Sequence, residues 1–343
     1  MTKKTRQIDP RKARMGVREI AKRVGVAPMT VSRVLSNPSL VAESTRLKVL
    51  AAIEKSGFVP NQLASSMRGT GRIIGSVVPP LINSGIADQV QGMSDECQSQ
   101  GYSMLLVQGE FTKEGEEQAI RTVLGWRPAG LILQSFVQSE MARQLLTTSK
   151  TPIVEISEVR GGRPLDMAVG ISNFETAYAM TQHLRTKGYK KIGFVSTSIH
   201  GNDRLQQRRA GYHAALKELG MANHDTLEVE VPMTAAGGAH ALDLLTKRHK
   251  DIDALFFSSD TLAVGAIQEC RRRNWPVPKR IAIAGYGNIE LASQLVPTLT
   301  TVRVDRYEMG RRAVRQLFER LAGTRALPSV VNLGFEIVDR ESA

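Results

Sequence analysis

Cysteine, aromatic residues and long apolar runs are all scarce in this sequence of 343 residues. Two cysteines are too few for a disulfide framework, which indicates a reducing compartment. The polar and basic N-terminus contains no secretory signal. The uncharged stretch 73–87 is interrupted by proline and glycine and is shorter than the ~20 residues of a membrane span. We therefore expect a cytoplasmic protein with no membrane partner.

Catalytic and metal-binding signatures are missing as well. The sequence contains no Walker A loop, no HExxH motif and no GxSxG nucleophile elbow, and its six histidines show no metal-ligand spacing. We therefore predict a protein that is not an enzyme and that uses no cofactor or metal.

Positive charge, by contrast, is abundant and concentrated in the first fifth of the chain. Residues 1–70 contain 14 Lys and Arg against 4 Asp and Glu, whereas the rest contains 32 against 29. A basic head on a nearly neutral body indicates a polyanionic partner for the head alone. The length predicts two large units, or two and a small one, at roughly 100–200 residues per domain.

Three short helical patterns follow a basic tail of residues 1–15. The first contains Ile20 and stops at Gly25, where glycine can adopt the left-handed conformation of a tight turn. The second contains Val31, and the third stops at Gly57. This arrangement predicts an all-α helix-turn-helix head, with a helical hairpin of no DNA-binding role as the alternative.

The outer face of the second helix carries side chains suited to DNA. Thr30 and Ser32 offer hydroxyls to phosphates, and Arg33 is the best candidate for a bidentate contact with guanine. The third helix begins after Ala42, where a hydroxyl cap would be expected, so we predict a weakly capped start.

The head resembles that of the lactose-repressor family. The matching residues are Ile20-Ala21, Val24-Gly25-Val26, Thr30-Val31-Ser32-Arg33-Val34-Leu35 and Gly57-Phe58-Val59-Pro60-Asn61. The resemblance implies a base-contacting trio at Pro28, Met29 and Arg33, with Arg18, Thr30 and Ser32 completing the DNA-contacting set. Pro28 has no amide donor, and Met29 makes only apolar contacts, such as with a thymine methyl. Both residues depart from the polar side chains found at these positions in the lactose repressor itself. This departure affects which operator sequence is bound and not whether DNA is bound.

Residues 60–71 resemble the hinge helix of the same family. The resemblance implies that two hinge helices of a homodimer pair on a minor groove and open a base step with an apolar side chain, here Met67, with Asn61 and Ala64 also at the DNA. A helix this short is marginal in water, so we expect it to fold only with DNA and a partner. A plain linker is the alternative. No heptad tail follows the last strand, which favours a dimer.

From Arg72 onward, apolar runs alternate with amphipathic helical patterns. Such alternation predicts parallel sheets covered by helices, and two sets of runs predict two α/β lobes. The predicted strands are residues 73–78, 104–107, 130–133 and 153–156, then 192–195, 227–231, 254–257 and 281–284.

This body resembles the family's sensor domain, which has the fold of periplasmic sugar-binding proteins. The matching residues are Arg208-Arg209-Ala210-Gly211-Tyr212, Ser259-Asp260-Thr261-Leu262, Ile283-Ala284-Gly285-Tyr286 and Leu299-Thr300-Thr301-Val302. The resemblance implies three crossings between lobes, near Gly170, Thr301 and Ser329. The implied domains are a head (16–59), a hinge (60–71), a first lobe (72–170 and 302–328) and a second lobe (171–301 and 329–343).

Ligands in this fold bind in the cleft at the carboxyl ends of the strands. Arg208 aligns with the family's ligand-binding arginine, and Arg204 lies one helical turn earlier on the same face. Two arginines at this place suit a carboxylate ligand, because guanidinium binds a carboxylate through two hydrogen bonds. The alternative is a solvated basic face that includes Arg209. The other predicted effector contacts are Asn83, Asn173, Ser259 and Asp260. Asp260 alternatively caps a helix, and the two asparagines are alternatively turn residues.

The run Gly285-Tyr286-Gly287-Asn288 lacks the acidic residue that many relatives use to bind neutral sugars, which favours an anionic ligand. The sequence most resembles the gluconate-utilisation repressors. We therefore predict a regulator that a sugar acid such as gluconate releases from a palindromic operator. The alternatives are a neutral sugar, phosphosugar or purine effector, including one that acts as a corepressor, and, more distantly, a non-specific architectural DNA-binding protein.

Overall fold

The computed structural model describes residues 16–58, 72–80, 84–110, 112–134, 139–159, 164–221, 227–324 and 330–343. The chain divides into two compact units, Met1–Arg72 and Ile73–Ala343. The predicted hinge residues Asn61, Ala64 and Met67 and the predicted ligand contact Asn83 lie outside the described residues. Within those ranges, no helix has the length and apolar character needed to cross a membrane.

The first unit is a helix-turn-helix followed by a third helix. Its elements are α1 (Val17–Val24), α2 (Pro28–Ser36), a 3-10 turn (Pro38–Leu40) and α3 (Glu43–Ser56). Gly25 ends α1 with a left-handed φ of 73°, as predicted, and Pro28 occupies the first turn of α2, where its missing N–H is tolerated. Ala42 precedes α3 without a side-chain cap, also as predicted. A small apolar core holds the three helices together: Ile20, Ala21, Val31, Val34 and Val49.

The second unit alternates strands and helices along the chain. Its first part contains β1 (Ile73–Val78), α4 (Ser84–Ser99), β2 (Ser103–Gln108), α5 (Lys113–Gly125), β3 (Gly130–Leu133), α6 (Glu140–Ser149), β4 (Ile153–Glu158) and β5 (Met167–Ile171). Then follow α7 (Asn173–Thr186), β6 (Ile192–Ser196), α8 (Asp203–Glu218), β7 (Glu228–Glu230), α9 (Ala235–Arg248), β8 (Ala254–Phe257), α10 (Asp260–Arg272) and β9 (Ala282–Gly287). The last elements are a 3-10 turn (Glu290–Ser293), β10 (Thr300–Arg303), α11 (Arg306–Leu321), β11 (Val330–Asn332) and β12 (Glu336–Val338).

Two six-stranded sheets define two lobes. The first has the order β11-β5-β4-β3-β1-β2 and the second the order β12-β10-β9-β8-β6-β7. All described pairs are parallel except β10 with β12. Strands β3, β4, β5, β6 and β8 are buried along their whole length, as expected for sheets covered by helices on both faces.

The third predicted crossing between the lobes is corrected by the sheet topology. The resemblance implied that the chain returns to the second lobe near Ser329. Strand β11 instead pairs with β5 in the first sheet, and β12 pairs with β10 in the second. The return therefore lies after Asn332 and before Glu336. Strand β10 keeps the chain in the second sheet as far as Arg303, two residues beyond the predicted crossing near Thr301.

Gly211 allows two helices of the second lobe to approach closely. A Cβ at this position would lie 2.1 Å from the carbonyl oxygen of Phe174, a backbone atom that cannot turn aside. Helix α8 therefore rests directly on the first turn of α7. This approach brings Arg208, one turn before Gly211, next to Asn173.

Candidate nucleic-acid interface and ligand cleft

The outer surface of α2 is the candidate nucleic-acid interface. Val31 and Val34 are buried in the core of the head, and this packing turns Pro28, Met29 and Arg33 outward. Met29 is 64% exposed, which is unusual for a large apolar side chain in a folded domain. Exposed methionine at the start of a helix suits an apolar contact with a partner.

The described surface around α2 is basic. On α1, Arg18 and Arg23 are exposed, and Arg33 is exposed on α2 with no ion pair to a described carboxylate. The nearby Glu19 is held at the helix start, where its carboxylate accepts a hydrogen bond from the Gly16 N–H at 3.0 Å. This surface therefore offers cations, together with the half-buried Thr30 and Ser32, to a polyanion.

A network of buried polar side chains lies at the carboxyl ends of the strands in the second unit, and Asn173 is central to it. Asn173 begins α7 and is 1% exposed. Its Nδ2 donates to the Ser157 carbonyl at 3.2 Å and to the Glu158 carboxylate at 2.7 Å. Its Oδ1 accepts from Arg208 Nε at 2.8 Å and from the Tyr286 hydroxyl at 2.9 Å. One amide thus joins the end of β4 in the first lobe to α8 and β9 in the second.

Arg208 is buried and has only neutral hydrogen-bonding partners among the described residues. Its Nη1 donates to the Ser258 carbonyl at 2.8 Å, and its Cζ lies 3.4 Å from the centroid of the Tyr286 ring. Burial, together with the charges of Arg306 and Arg204, lowers the pKa of Arg208 to about 10 against the opposing effect of Tyr286. The guanidinium remains protonated at neutral pH and forms no ion pair with a carboxylate in the described part of the chain.

Two further arginines lie near Arg208. Burial lowers the pKa of Arg204, with Asp203 opposing the shift and Arg306 adding to it. Arg306 begins α11, and its Cζ lies 5.8 Å from the centroid of the Tyr286 ring. Its Nε is buried without a hydrogen-bond partner in the described part of the chain. Neither Arg204 nor Arg306 forms an ion pair with any described carboxylate.

Asp260 is not the helix cap that the sequence left open as one alternative. The cap of α10 is Ser259, whose Oγ accepts from the Thr261 N–H at 3.3 Å. Asp260 is 0% exposed, and its two oxygens accept from the Ile289 N–H at 2.9 Å and from Thr301 Oγ1 at 2.6 Å. Burial raises the pKa of Asp260 and these hydrogen bonds oppose the rise. The carboxylate links the segment after β9 to β10 inside the second lobe, and its contact with a ligand stays a prediction.

The structure brings Asn173, Arg204 and Arg208 together, as the sequence predicted. The alternative of a solvated basic face is wrong for Arg208, because its side chain is buried. Arg209 instead points away from this group and pairs with Glu228 at 2.5 Å. Sequence reasoning missed Arg306, which follows β10 as Asn173 follows β5. Position at the carboxyl end of a strand was the signal that could have found it. Among the described residues, no group of histidine, cysteine and acidic side chains could hold a metal ion.

A helix-turn-helix unit together with a two-lobed α/β unit that has a polar network between its lobes is the architecture of a ligand-responsive DNA-binding regulator. Comparison with known families agrees. The profile of the bacterial regulatory proteins of the lacI family matches residues 17–61, and that of the periplasmic binding protein-like domain matches residues 181–343.

Individual relatives match nearly the whole chain. The HTH-type transcriptional regulator GntR of Escherichia coli K12 is 30% identical over 95% of this chain and 98% of its own length. GntR of Pseudomonas aeruginosa is 31% identical over 94% of each. The crystal structure of a lacI-family transcriptional regulator from Silicibacter pomeroyi superposes with a TM-score of 0.85, at 28% identity, over 96% of this chain and 99% of its own. The chain therefore belongs to the lacI family of DNA-binding transcription regulators and is not an enzyme.

The Asn173 network predicts a stability effect. Asn173→Ala leaves Arg208 Nε and the Tyr286 hydroxyl without their buried acceptor. We expect it to lower the free energy of unfolding by about 2–4 kcal/mol, because each buried polar group left unpaired costs ~1–3 kcal/mol. Urea unfolding followed by tryptophan fluorescence measures the change. Gln98→Ala, at an exposed position of α4, is the control and should unfold like the wild type. Wild-type stability in Asn173→Ala would contradict the central role of this amide.

Proposed function

We propose that this regulator binds a sugar acid of the gluconate type in the interlobe cleft and is thereby released from a palindromic operator in the cytoplasm. The observation that carries this proposal is the group of three guanidiniums, Arg204, Arg208 and Arg306, none of which has an ion-pair partner among the described residues. The sequence resemblance to gluconate-utilisation repressors and the similarity to two regulators named GntR support the same ligand class.

Electrostatics favours a carboxylate over a neutral sugar at the three arginines. A buried cation is costly, and the lowered pKa values of Arg204 and Arg208 express that cost. A ligand carboxylate removes the cost and accepts bidentate hydrogen bonds from guanidinium. A neutral hydroxyl supplies hydrogen bonds without the charge. The binding energy of an acid should therefore exceed that of its neutral analogue.

The head is proposed to contact DNA through the exposed start of α2. Arg33 is suited to the O6 and N7 of a guanine, and Met29 and Pro28 to a thymine methyl. Arg18, Thr30 and Ser32 are assigned to phosphates, which fix the position of the head on the duplex. In a homodimer, two such helices would enter successive major grooves of a palindrome. The hinge residues Asn61, Ala64 and Met67 are proposed to bend its centre.

The proposed release is a linkage between two binding events. Effector in the cleft favours one relative arrangement of the lobes, and operator favours another through the paired hinge segments. The coupling is reciprocal, so operator must weaken effector binding by the factor by which effector weakens operator binding.

A thermal-shift screen of the full chain tests the ligand class. The panel is gluconate, 2-ketogluconate, 6-phosphogluconate, glucose, ribose and purines. A ligand at 100 times its Kd stabilises the protein by about 2.7 kcal/mol, which a melting curve resolves. We expect a shift with sugar acids. A shift with a neutral sugar or purine alone would reject the anionic ligand and leave the family assignment intact.

Adjacent arginines provide a matched pair for the cleft. Arg208→Ala should weaken gluconate binding about 10- to 100-fold, since hydrogen bonds to a charged group contribute ~1.5–3 kcal/mol. Arg209→Ala should bind gluconate like the wild type, because Arg209 pairs with Glu228 outside the cleft. Isothermal titration measures both affinities, and retained operator binding verifies the fold. Equal gluconate affinity in the two variants would remove Arg208 from the site.

Arg33→Ala tests the head. We expect a loss of about 1–3 kcal/mol at the operator and a relaxed preference at one base pair. Fluorescence anisotropy with a selected operator and its single-base substitutions gives both values. Arg271→Ala, at the exposed end of α10, is the control for removing one positive charge. Uniform weakening across all the substituted operators would mean that Arg33 contacts phosphate and not a base.

A further inference from the structure

Positive charge in the second unit is concentrated in three segments, 185–191, 247–253 and 272–280. Together they contain eleven Lys and Arg against two Asp, whereas the rest of residues 71–343 contains 21 against 27. The second unit is therefore nearly neutral only because a strongly basic part offsets an acidic remainder. Charge separated in this way creates a local potential that attracts polyanions.

The three segments form one surface, which we call the basic pole. Each contains the turn that precedes β6, β8 or β9, and these strands are adjacent in the second sheet in the order β9-β8-β6. The Asp253 carboxylate accepts hydrogen bonds from the N–H groups of Lys190 and Lys191 at 2.7 and 2.8 Å. Arg280 donates to the Lys250 carbonyl at 3.3 Å. The basic pole therefore lies at the amino ends of the strands, at the opposite edge of the sheet from the arginines of the cleft.

Helix ends account for only a small part of this charge. Helices α7, α9 and α10 end in the basic pole, and cations are favourable there because a helix dipole is negative at its C-terminus. Each dipole is equivalent to about half an elementary charge, so three helices offset roughly 1.5 charges. The formal net charge of the basic pole is +9. Most of its charge is therefore available to a partner.

Several cations of the basic pole are free of carboxylates. Some form ion pairs, as Lys187 does with Asp339 at 2.7 Å and Lys191 does with Asp251 at 2.7 Å. Four others are exposed and have no ion pair with a described carboxylate: Lys190, Arg248, Lys250 and Lys279. These four side chains can each contact an anionic group without breaking an existing ion pair.

The composition of the basic pole favours nucleic acid over a protein partner. Protein interfaces centre on apolar or aromatic anchors, and charge is depleted at their core. The large apolar side chains of the basic pole are not exposed, and Trp275 is half-buried between Arg273 and Arg280, whose Cζ atoms each lie 5.1 Å from its ring centroid. Duplex DNA needs no such anchor, since phosphate contacts alone support sequence-independent binding. Three strands spaced ~4.8 Å apart cover ~10 Å, along which a duplex presents about six phosphates.

We propose that the basic pole is a second DNA-binding surface, which binds the phosphates of a duplex independently of base sequence while the head occupies the operator. A regulator with both surfaces holds two segments of DNA at once. This inference rests on the family assignment and not on the identity of the effector, because the basic pole and the arginines of the cleft lie at opposite edges of the sheet.

Fluorescence anisotropy of a labelled random-sequence duplex of ~20 base pairs tests this surface in the full chain. The head is first saturated with one equivalent of an unlabelled, selected operator duplex. We expect the operator complex to bind the random duplex with a Kd of about 10⁻⁴–10⁻⁵ M at ~50 mM salt. Four phosphate contacts predict a slope of about −3.6 when the logarithm of the association constant is plotted against that of the salt concentration.

Charge reversal in the basic pole should weaken this binding. Lys190→Glu combined with Lys250→Glu removes two phosphate contacts, so affinity for the random duplex should fall about 100-fold at ~50 mM salt and the slope should decrease in magnitude by about two. Arg248→Glu combined with Lys279→Glu should have the same effect and provides a second, independent variant. Wild-type melting temperature and operator affinity verify that both variants are folded.

The control is Lys113→Glu combined with Arg121→Glu, at exposed positions of α5. It makes the same change in net charge and should bind the random duplex like the wild type. Absence of random-duplex binding by the wild-type operator complex would overturn the proposal, and so would equal binding by the control and both variants of the basic pole. Binding of poly-glutamate without binding of the duplex would replace DNA with an acidic protein as the partner. None of these results depends on gluconate, so the proposed effector is tested separately.

Discussion

The cleft depends on one side-chain amide that the two lobes share. Asn173 donates to the end of β4 in the first sheet and accepts from Arg208 and Tyr286 in the second lobe. Ser157 and Tyr286 belong to strands of different sheets, so these bonds connect the two lobes. The same bonds hold Arg208 against the Tyr286 ring and keep its charge inside the cleft. Asn173 therefore connects the two lobes, positions the charge of Arg208 and lies where the proposed response to ligand would begin.

In two places of the second unit, buried polar groups lack an ion pair or a hydrogen bond within the described residues. Three arginines lie close together on α8 and α11, and none of them forms an ion pair with a described carboxylate. Gln134, at the end of β3, has a buried side-chain amide without a hydrogen-bond partner in the described part of the chain. Both arrangements cost folding free energy, since buried charge and unpaired polar groups are destabilising. Such destabilising groups are characteristic of binding sites, where a bound ligand provides the missing charge or hydrogen bond.

Local signals in the sequence predicted most of the fold. The helices of the head and strands such as Gly130–Leu133 and Ala254–Phe257 follow from periodicity and glycine positions. The short strands β11 and β12 carry no such signal, and only their pairing with β5 and β10 fixes the last crossing. Arg208 was predictable from its motif. Arg306 was not, because its position beside Arg208 and Tyr286 arises from contacts between residues distant in sequence, which periodicity does not report.

The central claim is that one chain links a ligand in the cleft to DNA at the head. Isothermal titration of gluconate into the full-length protein, with and without a saturating operator duplex, tests this linkage directly. We expect operator to weaken gluconate binding by about 5- to 150-fold, the usual range of allosteric coupling. Identical gluconate affinities in the two titrations would contradict it.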